Sequence, residues 1–384
     1  MRFPGFSGEW DSCELGDIAE LSKGAGISKD QRSSDGHPCV LYGELYTTYL
    51  TEIIDEVVSK TNLDPTGLAK SKANDIIIPA SGETAIDITT ARCVLHDDVL
   101  LGGDLNIIRL KEHDGKFFSY QLNGVRKKDI ARIAHGVSIV HLHGSALSRI
   151  VVNYPSKREQ ERISSLLSLI DQRISIQNKV IEDLKKLKTA LEDRMLGQCQ
   201  GKQVRLRDIL IERVEKSRIN NQYEVLSSTV SGIYSQREYF NKEIASADNT
   251  GYKAIHRGDV VLSPQNLWMG NINYNDRFEI GIVSPSYKVF SIDEKFDKGY
   301  IAFLLKTRKA LWAYSLVSEQ GASIVRRNLN YESFLEISFV IPSLKEQQAT
   351  ARRLSAFKQK QTMEEAFLRS LLLQKEFMLK SLFI

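Results

Sequence analysis

The sequence predicts two related globular domains that alternate with two long helices, and three observations support this organisation. The hexapeptide PSKREQ at residues 155–160 returns as PSLKEQ at residues 342–347. A heptad pattern of apolar residues follows each hexapeptide, and a second shared stretch precedes each of them. A helix start that is repeated together with its surroundings indicates that one structural unit occurs twice in the chain.

The first hexapeptide begins a predicted helix of about 40 residues. Positions spaced by four and three, from residue 163 to residue 195, are apolar in eight of ten cases. This pattern is typical of a helix that packs along its length on another helix. Ser156 and Glu159 have the spacing of a capping box, and Gly197 ends the run. At about 1.5 Å per residue the helix is about 60 Å long.

The second hexapeptide begins a similar helix. The ten positions shifted by 187 are apolar in six cases, Ser343 and Glu346 repeat the capping box, and Lys375 takes the place of Lys188. We expect the two helices to bury their seams on each other as an antiparallel coiled coil, with the two copies related by a pseudo-twofold axis.

The repeat extends into the globular regions. HGVSIVHL at residues 135–142 returns as QGASIVRR at residues 320–327, and LGDI at residues 15–18 resembles LRDI at residues 206–209. NDIIIPAS at residues 74–81 and GDVVLSPQ at residues 258–265 both indicate a turn, a buried strand and a polar loop. We therefore place the domains at residues 1–153 and 199–340 and the helical segments at residues 154–198 and 341–384.

Composition and charge exclude several classes of protein. The chain has 384 residues, of which 42% are hydrophobic and 26% charged, without an eighteen-residue apolar run or an apolar N-terminal signal. We expect a cytoplasmic protein without membrane contact. The four cysteines lack CxxC spacing. Residues 1–150 carry 16 Lys and Arg against 21 Asp and Glu, so any phosphate-binding surface must be a local patch.

The chain resembles the specificity subunit of type I restriction-modification systems. The resemblance is carried by the two P-S-x-x-E-Q helix starts and the long helices after them, by the G-x-S-I-V stretches at Gly136 and Gly321, and by W-x4-LGDI at Trp10 to Ile18. It implies an α+β fold for each of two target recognition domains, which read the two parts of a split, asymmetric site in double-stranded DNA. It also implies that the long helices set the spacing and dock two methyltransferase subunits, through which restriction and translocase subunits join.

The same resemblance implies that this chain holds no cofactor and that its partner subunits use S-adenosylmethionine, ATP and Mg. The sequence contains neither a GxxxxGK[ST] motif nor an Asn-Pro-Pro-aromatic tetrapeptide. Asp293-Glu294-Lys295 is the one match to part of a nuclease motif, in a charged segment. His141 and His143 have strand spacing but no third ligand nearby, so no metal site is expected.

Basic residues flank the repeated G-x-S-I-V element in both halves. They are candidates for contact with DNA phosphates, together with Ser138, His141 and Ser323 in or beside the element itself. The alternative is a solvated helix face that is basic without binding anything. The basic candidates are Arg126, Lys127, Lys128 and Arg132 in the first half, and Arg308, Lys309, Arg326 and Arg327 in the second.

Two polar loops at matching places are candidates for base recognition. In the second half Gln265, Asn266, Trp268 and Asn271 offer amide and aromatic groups, and in the first half Ser81 and Thr84 offer hydroxyls. Their divergence is expected for domains with different targets, although ordinary surface loops also diverge. Two other functions stay open: a non-catalytic coiled-coil adaptor that joins two protein partners, and a self-contained nuclease or methyltransferase.

Overall fold

The computed structural model describes residues 2–136, 138–240, 248–320 and 326–383, and the chain divides into two compact units. The first unit contains Met1–Lys179 and Ala366–Ile384, and the second contains Val180–Glu365. Each unit combines a globular domain of helices and strands with part of each long helix, which confirms the predicted mixed fold. No helix in the described ranges has the length and apolar character needed to span a membrane.

The two larger sheets of the first domain have five and four strands. The strand Asp75–Pro79 is buried throughout because both of its faces are covered, as the run of isoleucines predicts. The helix Gly115–Asn123 packs Phe117 and Phe118 into this core. In order across the sheets, the strands are Ala19–Lys23, Leu105–Leu110, Asp75–Pro79, Arg92–Val94 and Ile53–Ile54, and then Leu100–Leu101, His37–Val40, Ser59–Thr61 and Arg32–Ser33.

The second domain has a four-stranded sheet with a buried central strand at the place that the repeat predicts, Val260–Leu262. Its core is closed by three helices, Lys298–Leu304, Arg308–Leu316 and Tyr331–Glu336. The sheet runs in the order Leu210–Glu212, Lys288–Ile292, Val260–Leu262 and Ile272–Tyr274, and two-stranded sheets pair Lys253–His256 with Ile280–Val283 and Leu226–Ser228 with Ile233–Ser235.

The entry and exit of each domain are joined in the same way. Asp11–Glu14 pairs antiparallel with Val151–Tyr154 in the first unit, and Lys202–Arg205 pairs with Ser338–Ile341 in the second. The LGDI and LRDI segments that follow form matching one-turn helices, Leu15–Ile18 and Leu206–Ile209. The sequence repeat is therefore a structural repeat. The other short helices are Lys29–Gln31, Glu44–Thr47, Asp87–Thr89, Lys127–Ile133, Gly144–Leu147, Gln236–Phe240 and Pro264–Met269.

The long helices span Lys157–Gly197 and Leu344–Leu382. All twenty predicted seam positions are buried or half-buried. In the first unit Leu167 shares a core with Leu382, and Asp171 contacts Lys375. In the second unit Lys185 lies 3.9 Å from Glu365, and Leu191 packs into the core that contains Leu354. The segments within each unit therefore run antiparallel, as predicted.

A buried glutamine ties the start of each long helix to its own domain. The Gln160 side chain donates to the Pro155 carbonyl at 2.8 Å and accepts from the Asp114 amide at 3.0 Å. Gln347 makes the same two bonds, to Pro342 and Asp297, at 2.9 Å each. Asp114 and Asp297 in turn cap the helices Gly115–Asn123 and Lys298–Leu304. This double contact explains why the hexapeptide ends in glutamine both times.

The glutamate before each glutamine has different partners in the two units. Glu346 exchanges hydrogen bonds with Ser343, which confirms the predicted capping box there. Glu159 is fully buried, accepts a hydrogen bond from the Phe3 amide and pairs with Arg2 at 3.0 Å. The N-terminal segment therefore lies against the start of the first long helix, and the Glu159 carboxylate holds it there.

An ionic cluster is buried between the end of the second long helix and the first domain. The Lys375 ammonium lies 2.6 Å from both Glu52 and Asp171, and the Tyr120 hydroxyl donates to Asp171 at 2.7 Å. Both carboxylates are less than a tenth exposed. Lys188, the repeat counterpart of Lys375, instead pairs with Glu192 one turn along its own helix at 3.5 Å.

Two carboxylates share one ammonium in this cluster, so their pKa values move apart. Burial, together with the nearby Glu52 charge, raises the pKa of Asp171 to about 6. Burial acts to raise the pKa of Glu52 as well, but the Lys375 ammonium outweighs it and lowers that pKa. Removal of the Lys375 ammonium would therefore leave the buried Glu52 and Asp171 carboxylates without this counter-charge.

We expect Gln160→Leu to lower the free energy of unfolding of the first unit by about 1–3 kcal/mol, since it leaves a buried amide and a buried carbonyl unpaired. Gln347→Leu should do the same in the second unit. Native-state hydrogen exchange, read separately in the two units, measures both effects. Gln348→Leu is the control, because Gln348 is exposed; equal losses in all three variants would contradict this role.

We expect Lys375→Met to lower the free energy of unfolding of the first unit by about 3–5 kcal/mol at pH 7, because two buried carboxylates lose their counter-charge. The loss should shrink between pH 7 and pH 5, since without the ammonium both buried carboxylates take up protons as the pH falls, whereas in the native wild type only Asp171 does so in this range. Hydrogen exchange at both pH values measures this. Lys188→Met should cost no more than about 1 kcal/mol, and a pH-independent loss would count against a carboxylate cause.

Candidate nucleic-acid interface

In the second unit the predicted recognition loop and the predicted basic element lie side by side. The loop forms the 3-10 helix Pro264–Met269, directly after the buried strand Val260–Leu262. The hairpin of Ser318–Gln320 and Arg327–Leu329 packs against that helix. The Arg327 guanidinium lies over the Trp268 ring, 4.1 Å from its centroid. Two candidate residues from distant parts of the sequence therefore form one contact.

A buried hydrogen-bond network supports this loop from below. The Ser228 hydroxyl donates to the Asn271 side-chain oxygen at 2.7 Å, and the Asn271 amide donates to the Ser228 carbonyl at 2.9 Å. Asn273 donates to the same hydroxyl at 2.7 Å. Asn271 is predicted to contact bases, but in this structure it is only 4% exposed. Its side chain is used inside the domain to hold the loop.

Lys306 fixes the same loop from a second side. Its ammonium donates to the carbonyls of Val230 and Gly270 at 3.0 and 2.9 Å. Lys306 is exposed as a whole residue, but its ammonium lies against these two carbonyls, and partial burial lowers the pKa of Lys306 to about 8. Gly270 adopts a left-handed conformation with φ of 91°, where a side chain would be strained.

The other candidates of the second unit differ in exposure. Gln265 and Arg326 are exposed, whereas Asn266 is half-buried. Arg308 and Lys309 are exposed in the first turn of Arg308–Leu316, and Arg308 lies 3.9 Å from Asp193. Ser323 lies outside the described residues.

In the first unit the two candidate segments pair as strands. Ser81–Gly82 pairs antiparallel with Val140–His141. Ser81 is only 8% exposed, and Thr84 is exposed but exchanges hydrogen bonds with Asp87. Ser138 and His141 are exposed at this edge. The strand pairing brings together the two elements that the repeat singles out.

The basic cluster of the first unit lies beside this pair. Its helix, Lys127–Ile133, packs against the 3-10 helix Asp87–Thr89. Asp129 lies 3.5 Å from Arg126 and 3.1 Å from Arg132, so it offsets part of the positive charge. Lys127 is half-buried and Lys128 is exposed.

The carboxylate motif at Asp293–Lys295 lies in the second unit, and His141 and His143 lie in the first. Lys295 donates its backbone amide to the Asp293 carboxylate at 2.9 Å in an exposed turn. The rings of His141 and His143 stack with centroids 6.5 Å apart. Across the described ranges, no group of three His, Cys, Asp or Glu side chains is arranged to hold a metal ion.

Comparisons with known proteins found a matching domain model and similar solved structures. A model of the type I restriction modification DNA specificity domain matches residues 7–186. The fold is similar to the type I restriction-modification S subunit from M. genitalium, with 17% identity, a TM-score of 0.63, and 100% of this chain and 99% of that chain covered. No curated protein sequence matches the chain significantly.

A second similar structure comes from work on complex assembly and conformational transition of the type I R-M system. It shares 11% identity and a TM-score of 0.58, with 97% of each chain covered. Residues 7–186 therefore match the type I restriction modification DNA specificity domain, and the fold of the chain is similar to that of S subunits. The matched domain supports a role in DNA sequence specificity.

We expect Asn271→Leu to lower the free energy of unfolding of the second unit by about 1–3 kcal/mol, because Ser228 loses two buried hydrogen bonds. Gln265→Ala, at an exposed position of the same loop, should change it by no more than about 0.5 kcal/mol. Hydrogen exchange in the second unit measures both. If Asn271→Leu left stability unchanged, the supporting role of Asn271 would be disproved.

Proposed function

We propose that the chain is the specificity subunit of a type I restriction-modification complex, and that each globular domain reads one half of a bipartite, asymmetric DNA site. The structural repeat carries this proposal. Each domain has the same joined entry and exit strands and the same buried glutamine contact. Where the unit 2 interface has Trp268 and Arg327, the repeat-equivalent positions hold Thr84 and Leu142. A common frame with different contact residues suits two different half-sites.

We infer that the chain itself is not catalytic and that its partners supply the chemistry. The sequence lacks nucleotide-phosphate and adenine-methylation motifs, and the Asp293 turn is an exposed Asx turn. The methyltransferase partners would use S-adenosylmethionine, and the restriction and translocase partners would use ATP and Mg.

The long helices offer a surface for the methyltransferase subunits. In the first unit Leu169 and Ile176 lie seven residues apart and are 57% and 64% exposed, outside the buried seam. On the second long helix of that unit, Leu373 and Phe377 are 66% and 61% exposed and lie one turn apart. Apolar side chains at helical spacing that remain exposed beside a buried seam are typical of a protein interface.

We expect the chain, purified with its methyltransferase partner, to enrich a two-part sequence with a fixed gap from a random double-stranded DNA library. Methylation of the recovered sites should fall within both parts. The matched variant Leu169→Glu with Ile176→Glu should lose the partner, because two buried carboxylates at an interface are costly. Its circular dichroism should be unchanged, since both positions are exposed in the free chain.

Two other results would change the assignment. If the wild-type complex formed but enriched no sequence, an adaptor that joins two proteins would be the better description. If the purified chain alone cut or methylated DNA in the presence of Mg and S-adenosylmethionine, the chain would be an enzyme.

A further inference from the structure

Arg327 and Trp268 form a stacked pair within the candidate interface of the second unit. The guanidinium carbon lies 4.1 Å from the ring centroid. The Arg327 Nε atom is buried and has no hydrogen-bond partner among the described residues. Within the same ranges no carboxylate forms an ion pair with Arg327. The aromatic ring, and not a counter-charge, therefore sets the position of this cation.

The ring is itself held rigidly. Trp268 belongs to the 3-10 helix Pro264–Met269, which ends at Gly270 in a left-handed conformation. Lys306 bonds to the Gly270 carbonyl, and Asn271 is bonded on both sides of its amide to Ser228. The platform under Arg327 is thus fixed before any ligand arrives, which lowers the entropy lost on binding.

A fixed guanidinium plane suits a ligand that accepts two parallel hydrogen bonds. The planar fork of arginine donates such a pair, which both phosphate oxygens and the O6 and N7 atoms of guanine in the major groove accept. The exposed amide of Gln265 lies on the same 3-10 helix as Trp268 and also suits a base edge, so this surface favours guanine over phosphate. Arg327 is half-buried, so part of its side chain reaches solvent.

The first unit lacks this arrangement. Thr84 stands at the position equivalent to Trp268, and Leu142 at the position equivalent to Arg327. Leu142 is 1% exposed and belongs to the core. The stacked pair is therefore a property of the second domain, not of the repeated frame.

We propose that Arg327, held against Trp268, reads a guanine in the half-site of the second domain. This inference rests on the proposed function, since it specifies what one of the two domains recognises. Arg327 is the specificity-determining residue, and Trp268 is a positioning residue that acts through it.

The test is selection from a random DNA library by the full chain with its methyltransferase partner, repeated with Arg327→Gln, Arg327→Lys and Trp268→Phe. The wild type should select guanine at one position of the second domain's half-site. The Arg327 variants should change the base preference at that position. Arg327→Gln should lower the preference for that guanine roughly ten- to hundredfold, with adenine gaining, because glutamine pairs with adenine. Arg327→Lys should also weaken it, since lysine keeps the charge but loses the fork.

Arg218→Gln is the matched control, because it removes the same charge from an exposed arginine of the same unit that is not an interface candidate. It should leave the selected sequence unchanged, and the other half-site should stay constant in every variant. Trp268→Phe keeps an aromatic face and should retain the guanine. Thermal unfolding of each variant distinguishes a lost contact from a lost fold.

Two outcomes overturn the inference. If Arg327→Gln weakened binding to all sequences alike while the selected guanine remained, Arg327 would be a phosphate contact. If the wild-type complex selected a two-part site without guanine in the half-site affected by Arg327, the proposed function would stand and this inference would fail. If the wild-type complex selected no sequence at all, both the proposed function and this inference would be wrong.

Discussion

The buried glutamine at the start of each long helix is the contact on which the geometry of each unit depends. Gln160 and Gln347 each bond to the proline carbonyl before their long helix. Each also bonds to the backbone amide of the aspartate that caps a helix of the globular domain. These backbone groups are buried, except for the partly buried Asp297 amide, and an unpaired buried group would cost about 1–3 kcal/mol. The side chain thus fixes the direction in which the helix leaves the domain. The glutamine is therefore identical in the two copies of the hexapeptide, whereas the residues at its third and fourth positions differ.

The ionic cluster shows how one repeated residue acquires two functions. Lys375 and Lys188 share a seam position, yet Lys375 compensates two buried carboxylates, whereas Lys188 pairs with a glutamate of its own helix. A buried ion pair adds little net stability compared with an apolar contact, but only one packing satisfies its charges. We infer that the cluster mainly selects the correct docking of the C-terminal segment in the first unit. The apolar seam alone would tolerate shifted alternatives.

Features with a regular period could be predicted from the sequence, and features made by distant contacts could not. The helix seams follow from heptad spacing, and the buried strands follow from short apolar runs between turns. Gln265 and Asn271 look alike in the sequence, but one is exposed and the other is bonded to Ser228, 43 residues away. Glu159 departs from its capping box because Phe3 and Arg2 reach it from the N-terminal segment. Only tertiary structure decides between such alternatives.

Local charge, rather than net charge, separates the two candidate interfaces. In the first unit Asp129 lies between Arg126 and Arg132, so the densest basic cluster of that domain is partly neutralised by its own helix. In the second unit the Arg327 guanidinium rests on an aromatic ring that offers no full negative charge. A cation without a carboxylate partner keeps more of its field for an incoming anion or a polar base edge. The overall charge of a domain is therefore a poor guide to the location of a candidate DNA interface, and the ion pairs of individual arginines are a better one.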